Sequence, residues 1–125
     1  MKRLDLVVGS NGAGWSTFIE LTLAPDYTVI LHAVLIPEEL AVQRVRHRVR
    51  TGGHDVPESK IRQRYQRLWD LVATAAGRAD EATFYDNSAI RGPRIVAQLA
   101  SGVVVGSPTW PAWTPAALAN RWPGE

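Results

Sequence analysis

An α/β fold, a parallel sheet with flanking helices, is the architecture this sequence predicts. Three observations carry the expectation. "LDLVV" (4–8) is a short branched apolar run that ends in a glycine-rich loop. "YTVILHAVLI" (27–36) is a longer, nearly continuous apolar run rich in β-branched residues. Strand-like runs and stretches of helical period follow one another along the chain, the order expected of a sheet with crossover helices. Runs that scarcely alternate suit strands buried on both faces, as in a parallel sheet.

The first strand stops at Gly9, and a helix is expected from Ser16 to Leu23, ended by Pro25. The 27–36 run is the second strand. Pro37 suits a first helical turn, with Glu38 and Glu39 well placed against the helix dipole. Val42, Val45 and Val49 share one face of that helix, which "TGG" (51–53) stops. A second helix follows, with Asp55 as its cap and Glu58 three residues on. Its buried stripe is Ile61, Tyr65, Leu68 and Val72, at helical spacing. "EATFYDNS" reads as a third strand running into a loop, "GPRIVAQLA" (92–100) as a short helix, and "GVVVG" (102–106) as an edge strand. The tail carries Trp110, Trp113, Trp122 and four prolines, with a short helix capped by Thr114 and opened by Pro115.

The 125 residues suit one domain, and 46% apolar residues can build a core. No run approaches the roughly 20 apolar residues of a membrane span, and the basic start followed by apolar residues is too short for a signal peptide. The chain lacks cysteine, which excludes disulfides and thiolate metal sites and fits a reducing cytoplasm. A net charge of +2 does not imply nucleic acid, although eight of the fourteen Lys and Arg residues fall between Arg44 and Arg67.

"GSNGAGWST" (9–17) has the form of a phosphate-binding loop between a strand and a helix. Gly9, Gly12 and Gly14 allow the amides of Ser10, Asn11, Ala13 and their neighbours to turn inward on phosphate oxygens. Ser16 supplies a hydroxyl for magnesium, and Thr17 follows it. Lysine would ordinarily reach the outer phosphates, but Trp15 stands there, with one neutral donor and no charge. Phosphoryl transfer loses a principal source of charge stabilisation by that exchange. The alternative is a plain strand-to-helix turn.

With these residues in view, the sequence resembles the zeta-toxin family of P-loop kinases, UDP-N-acetylglucosamine kinases among them, including its smaller bacterial chromosomal members. "RLDLVVGSNGAGWSTF", "YTVILHAVLIPEELAVQRVRHRV", "GGHDVPESKIRQRYQRLW", "FYDNS" and "PAWTPAAL..RW" look like that family in order, across nearly the whole chain. The resemblance implies ATP and Mg²⁺ as cofactors, a small phosphoryl acceptor such as UDP-N-acetylglucosamine, and an antitoxin protein that blocks the nucleotide site. It also implies roles for Arg48 and Arg64, and less directly Arg44, on the transferring phosphate, and for Asp86 and Asn87 near the nucleotide. Two departures stand out, Trp15 and a gap. Leu23-Ala24-Pro25 runs almost directly into Tyr27, where the family carries two further strands and an Asn-x-Asp segment whose aspartate serves as base. The chain therefore looks like an internally deleted member, its sheet reduced by two strands.

Each of these residues also has a plainer reading. The arginines between 44 and 67 make a solvated basic face, and Asp-Asn-Ser is ordinary turn composition. His32 reads as a hydrogen-bonded core residue, His47 as solvated and His54 as a turn residue; together they offer no metal-ligand spacing. The tail tryptophans suit packing over a sheet face better than stacking on a base. Three readings stay open: an ATP-binding kinase domain with impaired catalysis, a non-catalytic remnant that binds nucleotide or antitoxin, or a decayed gene product whose fold is only marginal. Loss of the two strands is expected to bare an edge beside "LDLVV" and to open Leu6, Val8 and the 29–35 run to solvent. Self-association or a tail folded over the gap would then cover it.

Overall fold

Five strands form one sheet in the order β1-β2-β3-β4-β5 in the computed structural model, which describes residues 2–9, 26–52 and 56–124. They are β1 (Lys2–Val8), β2 (Tyr27–Leu35), β3 (Glu81–Asp86), β4 (Arg94–Ala100) and β5 (Val103–Val104). The helices are α1 (Glu38–Arg50), α2 (Glu58–Arg78) and the short α3 (Ala116–Ala119). The loop and helix expected over 10–23 lie outside the described residues.

The sheet is mixed rather than wholly parallel. β1, β2 and β3 run parallel, with Leu6 beside Leu31 and Ala33 beside Phe84. β4 and β5 are antiparallel additions. β4 occupies the segment expected to be a helix. The ladder slips between Phe84 and Tyr85, which face Ala97 and Ile95, so that Val96 is the extra residue of a bulge. Val96 and Ala97 are consequently both buried, as is Leu99. That spacing imitates one face of a helix, which is why periodicity misleads here. Thr109 closes the bulge by donating its amide to the Val96 carbonyl at 2.7 Å.

Strands β4 and β5 meet through Ser101 and Gly102, both at positive φ, the geometry of a tight two-residue hairpin. A Cβ on Gly102 would stand 2.6 Å from the Gly77 carbonyl oxygen, so glycine is required twice over. The expected strand at 102–106 is thus present, in its shorter form, at the sheet edge.

Alternation divides the sheet into two faces. Val29, Leu31, Ala33 and Leu35 of β2, with Ala82 and Phe84 of β3, point into the core against Leu68, Trp69, Val72 and Ala76 of α2. The expected α2 stripe is buried in full, and Val8 and the core-facing residues of β2 are closed rather than open to solvent. The tail lies over Phe84: Trp110 meets its ring edge-on at 5.2 Å, and Trp122 lies 6.0 Å away. It therefore covers the β3 side and leaves β1 alone. Helix starts also differ in detail from expectation. Pro57 is the N-cap of α2 in place of Asp55, which lies outside the described residues. Pro115 caps α3, and the buried Thr114 hydroxyl has no hydrogen-bond partner among the described residues.

Candidate functional site

Parallel pairing brings the carboxyl ends of β1, β2 and β3 to one edge. Gly9 follows Val8 there, Ile36 follows Leu35, and Asn87 follows Asp86. Gly9 and Asn87 stand two strand spacings apart and two residues out of level, about 12 Å. The Asn87 amide donates to the Leu35 carbonyl at 2.9 Å, which locks β3 to β2 at this edge. Ser10, Asn11, Gly12, Ala13, Gly14, Trp15, Ser16 and Thr17 lie outside the described residues.

Asp86 is buried, and its carboxylate is already engaged. Oδ1 accepts the Ser88 amide at 2.9 Å, and Oδ2 accepts from Arg94 at 3.4 Å across the strand pair. Burial pushes this carboxyl up, but hydrogen bonds from Ser88 and the Arg94 charge outweigh it and hold the carboxyl below its ordinary value. Asn87 is half-buried, and its side chain makes no bond among the described residues. Of the two, Asn87 is the residue free to meet a ligand.

A helical hairpin rises from this same edge. α1 starts directly after β2, and the Tyr65 hydroxyl of α2 donates to the Ile36 carbonyl at 2.7 Å. Burial and the nearby Glu38 charge push that hydroxyl up to about 12, so it remains a donor at neutral pH. Arg62 clamps the hairpin base, 2.9 Å from Glu38 and 2.7 Å from Glu39, with Glu58 at 3.6 Å. Gln66 adds a bond to Glu38 at 2.8 Å, and Arg46 pairs with Glu58. Hydrogen bonding to Arg62 and its charge lower the Glu39 carboxyl, and Glu39 and Glu38 in return raise the guanidinium.

This clamp fixes which cations stand where. Arg44, Arg48, Arg50, Lys60, Arg64 and Arg67 are exposed and have no partner among the described residues. Pairing of residue 46 with 58 and of 38 with 66 sets Arg64 opposite about residue 40. Arg48 lies eight residues further along α1, about 12 Å at 1.5 Å per residue. The hairpin thus keeps both arginines available without bringing them to a common point. Near its tip a cleft of about 210 Å³ is lined by Val45, Arg46, Val49, Arg50, Val56 and Ile61.

The sheet face that carries His32 holds a row that the sequence did not disclose. His32 Nδ1 lies 3.1 Å from the Tyr85 hydroxyl, and its Nε2 lies 3.6 Å from Asp5 Oδ1. His32 is thus a half-buried surface bridge across three strands, not a core residue. His47 is exposed on α1, and His54 lies outside the described residues. Among the described residues, no group of His, Cys, Asp and Glu could hold a metal ion, and no helix is long and apolar enough to cross a membrane. The Arg62 clamp was half legible, since Glu58 and Arg62 are four apart on one helix. Its reach to Glu38 and Glu39 depends on how the two helices pack. No family model, curated protein or solved structure matches this chain.

Proposed function

We propose that the chain binds the phosphates of a nucleotide at the carboxyl edge of β1–β3, as an ATP-binding domain of the zeta-toxin kinase kind whose phosphoryl transfer is impaired. One observation supports this most: parallel pairing carries Gly9, where the glycine loop begins, and Asn87 to the same edge, under a cationic hairpin. Open α/β sheets collect ligands beyond the carboxyl ends of their strands. Backbone amides of residues 9–17 would hold the phosphates. Magnesium would fall to Ser16 and phosphate oxygens, because the Asp86 carboxylate is committed to Ser88 and Arg94. Transfer to UDP-N-acetylglucosamine or a related acceptor lacks both the lysine charge at position 15 and the base-bearing segment. A lost base alone costs ~10²–10⁴ in rate.

The separation of Arg48 from Arg64 favours a second reading, a non-catalytic module that keeps nucleotide or antitoxin binding without turnover. Calorimetric titration with ATP and Mg²⁺ tests the common ground. Weak binding is expected, strengthened in Trp15→Lys and abolished in Gly14→Val, where a branched side chain crowds the amides. No heat in either the natural chain or Trp15→Lys would end the nucleotide reading. ATP turnover regained by Trp15→Lys supports the impaired enzyme, and tighter binding without turnover supports the module.

A further inference from the structure

β1 has a partner strand on one side only among the described residues, and its outward-facing side chains are open. Arg3, Asp5 and Val7 are all exposed, Val7 to 74%, and Lys2, on the core side at the strand's first position, is exposed as well. A bare strand edge presents unpaired N–H and C=O groups that another strand can satisfy. Natural proteins guard such edges with lone inward charges, prolines or bulges. β1 has no proline or bulge, its one core-side charge, Lys2, stands at the strand's first residue over the Tyr27 ring, and its two outward charges have opposite signs.

We infer that β1 pairs antiparallel with β1 of a second copy of this chain, about a two-fold axis at Leu4, joining two sheets into one of ten strands. Three facts select this register. Directly opposed residues of antiparallel strands share a face, so Leu4, Leu6 and Val8 must meet core-facing residues of the second copy. This leaves axes at Leu4, Asp5 or Leu6. An axis at Asp5 sets the two Asp5 carboxylates against each other, which like charges disfavour. An axis at Leu6 sets Asp5 against Val7 and leaves Arg3 opposite Gly9.

The axis at Leu4 alone sets Arg3 opposite the second copy's Asp5, twice by symmetry. Within one chain Arg3 Nε already lies 3.3 Å from Asp5 Oδ2. Pairing closes these into a ring of four alternating charges, while on the core side Leu4 meets its own copy and the Lys2 stem lies opposite Leu6 of the second copy. The occupant is thus a second copy because the strand is complementary to itself. A closed two-fold dimer also ends the edge rather than propagating it into a filament.

The chain contains no cysteine, so a single introduced thiol reports the register directly. Paired residues at the axis stand about 4.5–5.5 Å apart at Cα, within disulfide reach. Under mild oxidation Leu4→Cys should give a crosslinked dimer, and Leu6→Cys should give little, its copies being four residues out of register. Sedimentation of the natural chain should show a concentration-dependent dimer. Arg3→Asp and Asp5→Arg should each weaken it about tenfold or more, and the double exchange should restore it. A monomer at all concentrations, crosslinking at Leu6→Cys in preference to Leu4→Cys, or a double exchange as weak as its parents would overturn the inference. Circular dichroism confirms that each variant is folded before it is scored.

Discussion

A carboxylate buried at the end of a strand must be neutral, paired or held for a ligand, and the bonds around Asp86 decide among these. Ser88 and Arg94 engage both of its oxygens, so its first duty is to order the turn after β3. Asp86→Ala leaves the Ser88 amide without its acceptor and should cost about 1–3 kcal/mol by chemical denaturation. Folding lowers the carboxyl below its ordinary value of 3.8, so its contribution is full above that pH and fades as pH falls through the folded-state value. Asp86→Asn should accordingly flatten the acid limb of stability against pH. Asn87→Ala should instead weaken nucleotide binding with little change in stability, and the reverse pattern would exchange the two roles. The sequence placed this pair at a strand end because "FYDNS" is local information. It was silent on Arg94, whose approach depends on the antiparallel return of β4.

At the scale of elements, legibility followed the source of the signal. β2 and α2 were readable because each carries a long run with one period, and the α2 stripe is buried as expected. β4 was not, since a bulge places Val96 and Ala97 on the core side together and breaks the period of two. The hairpin of α1 and α2 lies between these cases. Its helices are local, but its clamp is tertiary and half open to water, Arg62 and Glu38 part-buried and Glu39 exposed. Arg62 meets Glu38, Glu39 and Glu58 at once, and salt screens such exposed networks. Arg62→Ala should therefore release the hairpin without unfolding the domain. Amide exchange should accelerate through 38–50 and the first turns of α2, and 0.5 M salt should act on the natural chain in the same sense. Residues 66–78, buried against the sheet, should stay protected. Uniform loss of protection would mean that the clamp supports the whole fold.

For the molecule as a whole, the question is what holds so small a sheet together. The core faces of β2 and β3 are closed by α2 on one flank and by the tail on the other. α3 has four residues and could not persist as an isolated helix. Packing must hold it, and Leu118 within it is fully buried. Trp122 is buried as well; its indole donates to the Gly102 carbonyl at 3.0 Å, and its own carbonyl accepts the Trp110 indole at 2.7 Å. Those bonds fasten the tail to the β4–β5 hairpin, a contact between distant residues that no local pattern announces. The tail tryptophans were nevertheless readable as packing residues. Trp122→Ala should cost about 3–5 kcal/mol and Leu118→Ala about 2–5 kcal/mol. Together these approach the roughly 5–15 kcal/mol by which folded domains are stable, and small domains bury the least surface. A chain ended at Pro108 loses both anchors and uncovers Phe84. It should show no cooperative thermal transition, and adding a peptide of residues 109–125 should restore one. Cooperative unfolding of the shortened chain alone would place its stability in the sheet and α2, with the tail a mere cover.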